Sequence, residues 1–270
     1  MRSLPALALL ATSLTLPVRD GAARAATVAA ESPGAADTAL HFVAYSTGLR
    51  ILDLRVQFRL EQAGYSVRTQ MNTVGLLSAF VSGQTESEAT GGWSALWPQP
   101  RYFESSGMWR GVSRQTVIDY AGGTPHIRVL LPDPDPHPRE PVPPALQANT
   151  IDTLSALAGL LQRVRQTGRC DSVARLFDGN RLSEVSVRTV GMQALPASSR
   201  SSFAGLALRC DFSGRLLAGF LLDEDRDHQA RPHGGSAWFA APLSGQAVMP
   251  VRITFDTPFL GDATMYLVGD

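Results

Sequence analysis

The sequence contains no lysine: all 24 of its basic side chains are arginine, and they balance 24 carboxylates to a formal net charge of zero. A chain without net charge has no general electrostatic attraction to nucleic acid or to an anionic membrane surface. The arginine-only usage reads as coding bias, not as function. Cysteine is scarce, and apart from a single adjacent aspartate neither Cys170 nor Cys210 has a histidine or second cysteine at short spacing, so no metal site is expected at either. There is no Gly-x-Ser-x-Gly elbow and no phosphate-cradling Gly-rich loop ahead of a helix. No catalytic residue and no cofactor site therefore stands out, although a triad assembled from distant positions would leave no spacing signature. Beyond the first 25 residues no second long apolar run follows, so no transmembrane segment is expected in the mature chain, which should be soluble.

What is present starts with the N-terminus. Arg2 supplies a short positive region, Leu4 to Val18 is apolar apart from Ser, Thr and two prolines, and Ala23-Arg24-Ala25 is a small-x-small cleavage signal. That order predicts a signal peptide over residues 1–25, cut near Ala25, and export to the periplasm. A membrane anchor is the alternative, but spanning a bilayer takes about 20 apolar residues and this run is shorter. No cysteine follows the signal, which argues against a lipid anchor. Residues 26–37, rich in Ala, Ser, Gly and Pro, read as a flexible leader. In an oxidising compartment an even cysteine count predicts a disulfide between Cys170 and Cys210, with two buried free thiols as the alternative.

From Leu40 the hydrophobic period is two. In Ile51–Leu60 the residues Leu52, Leu54, Val56, Phe58 and Leu60 alternate with Asp53, Arg55, Gln57 and Arg59, the pattern of a half-buried strand. A second strand from Tyr65 to Asn72 follows a short loop at Gln62-Ala63-Gly64. Gln115–Tyr120 and His126–Leu131 flank a Gly122-Gly123 hairpin signal. Further strands are expected over Leu182–Val190, Ser202–Asp211, Arg215–Leu222, Ser236–Ala241, Met249–Asp256 and Ala263–Val268, with Asp178-Gly179 as a type I′ turn. Alternating strands on short turns predict antiparallel pairing with one solvated face. One amphipathic helix is expected at about 152–167, where Leu154, Leu157, Leu160, Leu161 and Val164 form a stripe; Thr150 or Asp152 can cap it and Gly168 ends it. The segment 132–144 has seven prolines in thirteen residues and should be extended. The fold class is therefore mainly β: a large curved antiparallel sheet or (half-)barrel, forming one domain over 38–270 with a Pro-rich crossover. Two domains joined by that segment are the alternative.

Three groups could carry chemistry. His228 and His233 sit in an acidic stretch from Asp223, but mixed charges and Pro232 favour a solvated loop over a metal site. Trp93, Trp97, Trp109 and Trp238 are either core and rim residues or the lining of a pocket on a curved sheet. Arg55, Arg59 and Arg68 read as a wet face.

The chain also resembles the bacterial family called domain of unknown function 3108. The matching pieces are Tyr45 with Gly48-Leu49, Gly75-Leu76, Pro144 with Thr150-Ile151-Asp152-Thr153-Leu154-Ser155, Cys170 with Phe177-Asp178-Gly179-Asn180-Arg181, and Cys210 with Gly219-Phe220, Trp238 and Pro250-Val251-Arg252. The pieces occur in this order, and the resemblance covers about residues 38–268. The resemblance implies an exported, β-rich envelope protein and carries no catalytic residue. The leading expectation is a non-enzymatic periplasmic protein that binds an apolar or envelope-derived ligand, with a lipid, a glycan or an envelope protein as partner. An envelope assembly protein is the first alternative and an envelope hydrolase the second.

Overall fold

The structure is a computed structural model that describes residues 38–269 apart from 76, 77, 79–81, 243–245 and 258–260. The expected signal peptide and leader, and Leu76, lie outside the described residues. Among those described, thirteen strands form one antiparallel sheet. They are β1 (Thr38–Ser46), β2 (Leu49–Leu60), β3 (Tyr65–Thr73), β4 (Gly83–Ser94), β5 (Trp97–Trp109), β6 (Val112–Ala121), β7 (Thr124–Leu131), β8 (Ser172–Phe177), β9 (Leu182–Leu195), β10 (Gly205–Ala218), β11 (His233–Ala240), β12 (Met249–Thr257) and β13 (Gly261–Val268). Helices α1 (Pro144–Gln147) and α2 (Thr153–Thr167) lie between β7 and β8, and α3 (Arg226–Gln229) precedes β11.

The strand order is β7-β6-β5-β4-β3-β2-β1-β13-β12-β11-β10-β9-β8. The first and last strands meet in the middle, with His41 opposite Val268 and Ser46 opposite Ala263. The sheet stays open, with β7 and β8 at its two ends, yet the ends approach each other. Gly179, in the β8–β9 turn, sits so close to β6 and β7 that a Cβ there would come within 3.0 Å of Thr116 Cγ2 and 3.2 Å of Leu130 Cδ1. Asn149 donates its N–H to the Gly123 carbonyl in the β6–β7 turn, and Ile151 bonds to Arg175 and Phe177 of β8. Residues 149–151 thus span the seam.

Helix α2 packs against the inner face. Asp152 is its N-cap and accepts the Ser155 N–H; Gly168 takes the left-handed conformation at its end. Leu154, Ala158, Leu161 and Val164 are buried in a core with Phe42, Val56, Phe58, Val67, Phe103 and Ile118. Gly122 and Gly123 both have positive φ in a two-residue hairpin, as a type I′ turn requires. Two expectations change. Asp178-Gly179 is not a type I′ turn: the loop has four residues between Phe177 and Leu182, and Asp178 Oδ1 accepts the N–H groups of Asn180 and Arg181. Nor do two strands separate Ser202 from Leu222. Residues 205–218 are one strand, because Gly214 keeps its pairing on both sides, to Val185 and His233.

Candidate functional site

The inner face of β3–β6 changes character along the strands. Nearest the helix, Val67, Ala89, Phe103 and Ile118 pair across four strands as a buried apolar row. One step further on the same face the row is Thr69, Ser87, Ser105 and Thr116. The next is Met71, Thr85, Gly107 and Arg114. Apart from Met71 and Arg114 these side chains are too small to fill the space above them, and a hollow of about 790 Å³ lies beside the start of α2. Its floor is the hydroxyl row, with Ser87 and Ser105 hydrogen-bonded to each other at 2.8 Å. Trp109 stands at the rim, where it lies flat on Gly83; a Cβ on Gly83 would meet the indole at 2.3 Å.

The opposite wall comes from the Pro-rich segment. Asp135, His137 and Arg139 line the hollow together with Asp178 and Arg181 of the β8–β9 turn. Arg114 grips Asp135 through both terminal nitrogens, at 3.0 and 3.3 Å, and so ties the segment to β6. Burial works against ionisation of Asp135, but the Arg114 fork and the His137 N–H outweigh it and hold the carboxyl below its usual range. At its other end the segment bonds to the exit of β10 through Glu140 N–H to Phe220 and Leu222 N–H to Pro138. A second hollow of about 420 Å³ adjoins the first, and Arg139, Thr153, Asp178 and Arg181 line both.

Beneath α2 lies a buried polar chain. The Tyr65 hydroxyl donates to Ser155 Oγ at 2.7 Å, and Ser155 donates in turn to Asp152 Oδ2 at 2.5 Å. Burial pushes the Asp152 carboxyl up to about 6, against the hydrogen bonds from Ser155. The nearby Tyr120 hydroxyl is buried and finds no partner among the described residues. This chain is sealed from solvent and serves the helix start.

A family model described as protein of unknown function (DUF3108) matches residues 41–268. The chain is a DUF3108 protein. Among solved structures, a beta-barrel-like protein of domain of unknown function DUF1849 from Brucella abortus is similar to it, with a TM-score of 0.49 and 11% identity over 87% of this chain and 96% of that one. No curated protein matches this chain.

In this DUF3108 protein the residues singled out from the sequence scatter. Cys170 and Cys210 are bonded, with Cα atoms 6.3 Å apart. His233 pairs with Asp256 at 3.2 Å on the surface, whereas His228 lies exposed in α3, its N–H on Asp225. Of the four tryptophans only Trp109 lines the hollow. Trp93 packs on Tyr65 with the rings tilted and their centroids 4.8 Å apart, Trp97 sits half-buried at the start of β5, and Trp238 lies beside the guanidinium groups of Arg209 and Arg252. Arg55 and Arg59 are exposed, and Arg68 pairs with Glu88 at 2.6 Å. Sequence reasoning missed Arg114, Asp135, Arg139, Ser87, Ser105 and Gly107, all of which line the hollow. Aspartate and arginine spaced along a Pro-rich segment were the available signal.

Proposed function

We propose that this is an exported periplasmic protein without catalytic activity that holds an apolar or amphipathic, envelope-derived ligand inside its rolled sheet. One observation carries the reading: the inward face of four adjacent strands gives up its apolar side chains where the hollow opens. Ligand pockets of small molecules run to about 300–1,000 Å³, and the larger hollow falls in that range. Export accounts for the disulfide. Native mass spectrometry on protein taken gently from the periplasm tests both parts. The expected chain mass lacks roughly the first 25 residues, as signal cleavage requires, and carries a bound small molecule that Ser105→Leu removes. A full-length mass from the cytoplasmic fraction overturns the location. A bare mass, with no probe of any kind raising the melting temperature, overturns the ligand.

Assembly within the envelope is a second reading, favoured by the β7 edge. Among the described residues no strand pairs with its outer side, and it exposes Ile127 and Leu131, at 40% and 48%. An open edge of this kind accepts a strand from a partner. Crosslinking from position 127 in intact cells would trap one specific protein; a clean monomer under every condition counts against it.

A further inference from the structure

The arginines that line the larger hollow are compensated unequally. Arg114 is held by Asp135, and Arg181 by Asp178 at 2.7 Å. Arg110 stands in solvent at the rim, where an unpaired guanidinium is fully hydrated. Arg139 is different. It is half-buried, and among the described residues its side chain has one hydrogen bond, to the Gly219 carbonyl at 2.8 Å. No carboxylate lies within ion-pair distance of it among the described residues. Burial weakens its hold on the proton and Arg181 beside it adds to the effect, more than the more distant Asp178 and Asp135 restore. A guanidinium drawn partly out of water without a direct ion pair is unfavourable, and an anion brought into contact with it offsets the penalty. Its position matters as much as its charge: Arg139 sits where the two hollows meet.

The rest of the lining asks for something else. Met71, Phe103 and Trp109 offer apolar surface along one side, and beside them the Ser87 hydroxyl donates to Ser105.

We propose that the ligand is an amphipathic anion: one apolar chain against Met71, Phe103 and Trp109, ending in a carboxylate or phosphate that pairs with Arg139. The inference rests on the hollow being the ligand site. Phosphate and carboxylate both match the planar fork of arginine, so the head is defined by charge and geometry and not by one chemical name.

Calorimetric titration of the mature protein with decanoate, decyl phosphate, decanol and inorganic phosphate tests it. The two anionic chains should bind at least about tenfold more tightly than decanol, as one charge-assisted hydrogen-bonded pair implies. Inorganic phosphate, lacking the chain, should bind weaker than decyl phosphate by at least the same factor. Arg139→Gln should bring the anionic chains down to the level of decanol and leave decanol unchanged. Arg139→Lys should restore part of the preference, which separates lost charge from a disturbed fold. If decanol equals the anions in the native protein, or if Arg139→Gln keeps their advantage, the head assignment is wrong while the hollow remains a ligand site. If inorganic phosphate alone binds as tightly as decyl phosphate, the site is one for free anions and the chain assignment is wrong. If no probe binds and Ser105→Leu behaves as the native protein does, the ligand reading falls, and this inference with it.

Discussion

Cys170 and Cys210 reach each other across Thr189. Cys170 donates its N–H to Thr189 Oγ1 at 2.9 Å, and Cys210 is the ladder partner of Thr189 on the other side. Two strand spacings would put the cysteine Cα atoms about 9.5 Å apart, whereas they lie 6.3 Å apart. The ladder shifts register between Arg209 and Cys210, where Val190 of β9 is the extra residue of a bulge, and the bulged strand bends at that point. The bond fastens the chain just after α2 to β10, two strands in from the β8 end of the sheet, over 40 residues of chain. Replacing either cysteine by Ala should cost about 2–4 kcal/mol, or roughly 5–15 °C in melting temperature. Thiol labelling of the unfolded, unreduced protein should find no reactive group; two reactive thiols per chain would refute the bond.

Asp152 should leave a mark on the pH dependence of stability. The unfolded carboxyl titrates near about 3.9, while burial holds the folded one protonated up to about 6. Between these values the native state keeps the extra proton, so its contribution to unfolding free energy declines as pH rises, by up to about 3 kcal/mol. Asn is an equally good N-cap, so Asp152→Asn should fold and lose this decline. Denaturant titrations from pH 4 to 7 on both proteins decide the matter, and parallel curves would rule it out.

The two tyrosines beside that carboxyl should respond differently to loss of the hydroxyl. Tyr65→Phe removes a buried donor and leaves Ser155 short of a partner, at a cost of about 1–2 kcal/mol. Tyr120→Phe removes a hydroxyl with no partner and should be neutral or stabilising. Equal losses in the two variants would mean that Tyr120 is hydrogen-bonded in solution.

Filling the hollow should separate stability from binding. Ser105→Val places a β-branched apolar group on a strand face with space above it. It should leave the melting temperature equal or higher while weakening any bound ligand. Gly107→Ala is the control in the next row of the same strand: its Cβ would lie 2.0 Å from the Gln84 carbonyl oxygen, so it should destabilise by about 1–3 kcal/mol. A tolerated Ala at 107, or an unstable Val at 105, would show that the face is packed otherwise.

The same rows explain how much the sequence revealed. In β2 the alternation from Leu52 to Leu60 announces a strand because its inner face meets the core. Helix α2 is equally plain, since its stripe, its Asp152 cap and its Gly168 stop all agree. Strands β4 and β5 give no such signal. Their inward residues include Thr85, Ser87, Ser105 and Gly107, so polar faces polar and the period of two disappears. Strands β4 and β5 thus escaped the hydrophobic pattern for the same reason that they contribute small and polar side chains to the hollow. Arg139 was hidden differently: nothing local distinguishes it from 23 other arginines until the fold sets it beside Gly219, eighty residues away.

The meeting of β1 and β13 also bears on how the chain finds its fold. Every other pair of neighbours in the sheet is consecutive in sequence, so β1–β7 and β8–β13 are two meanders of local hairpins. Only one ladder joins distant parts of the chain, and it cannot form until the last strand is available. Contacts of low sequence separation assemble fast, and the long-range closure is the slow step. Because His41 faces Val268, the two ends of the sheet's chain lie side by side like the arms of a hairpin. A few residues would suffice to link position 269 to position 38, and the chain could then be opened within 132–144 to give a circular permutant. In that permutant the single slow closure becomes an ordinary turn, and refolding should be faster than in the natural order.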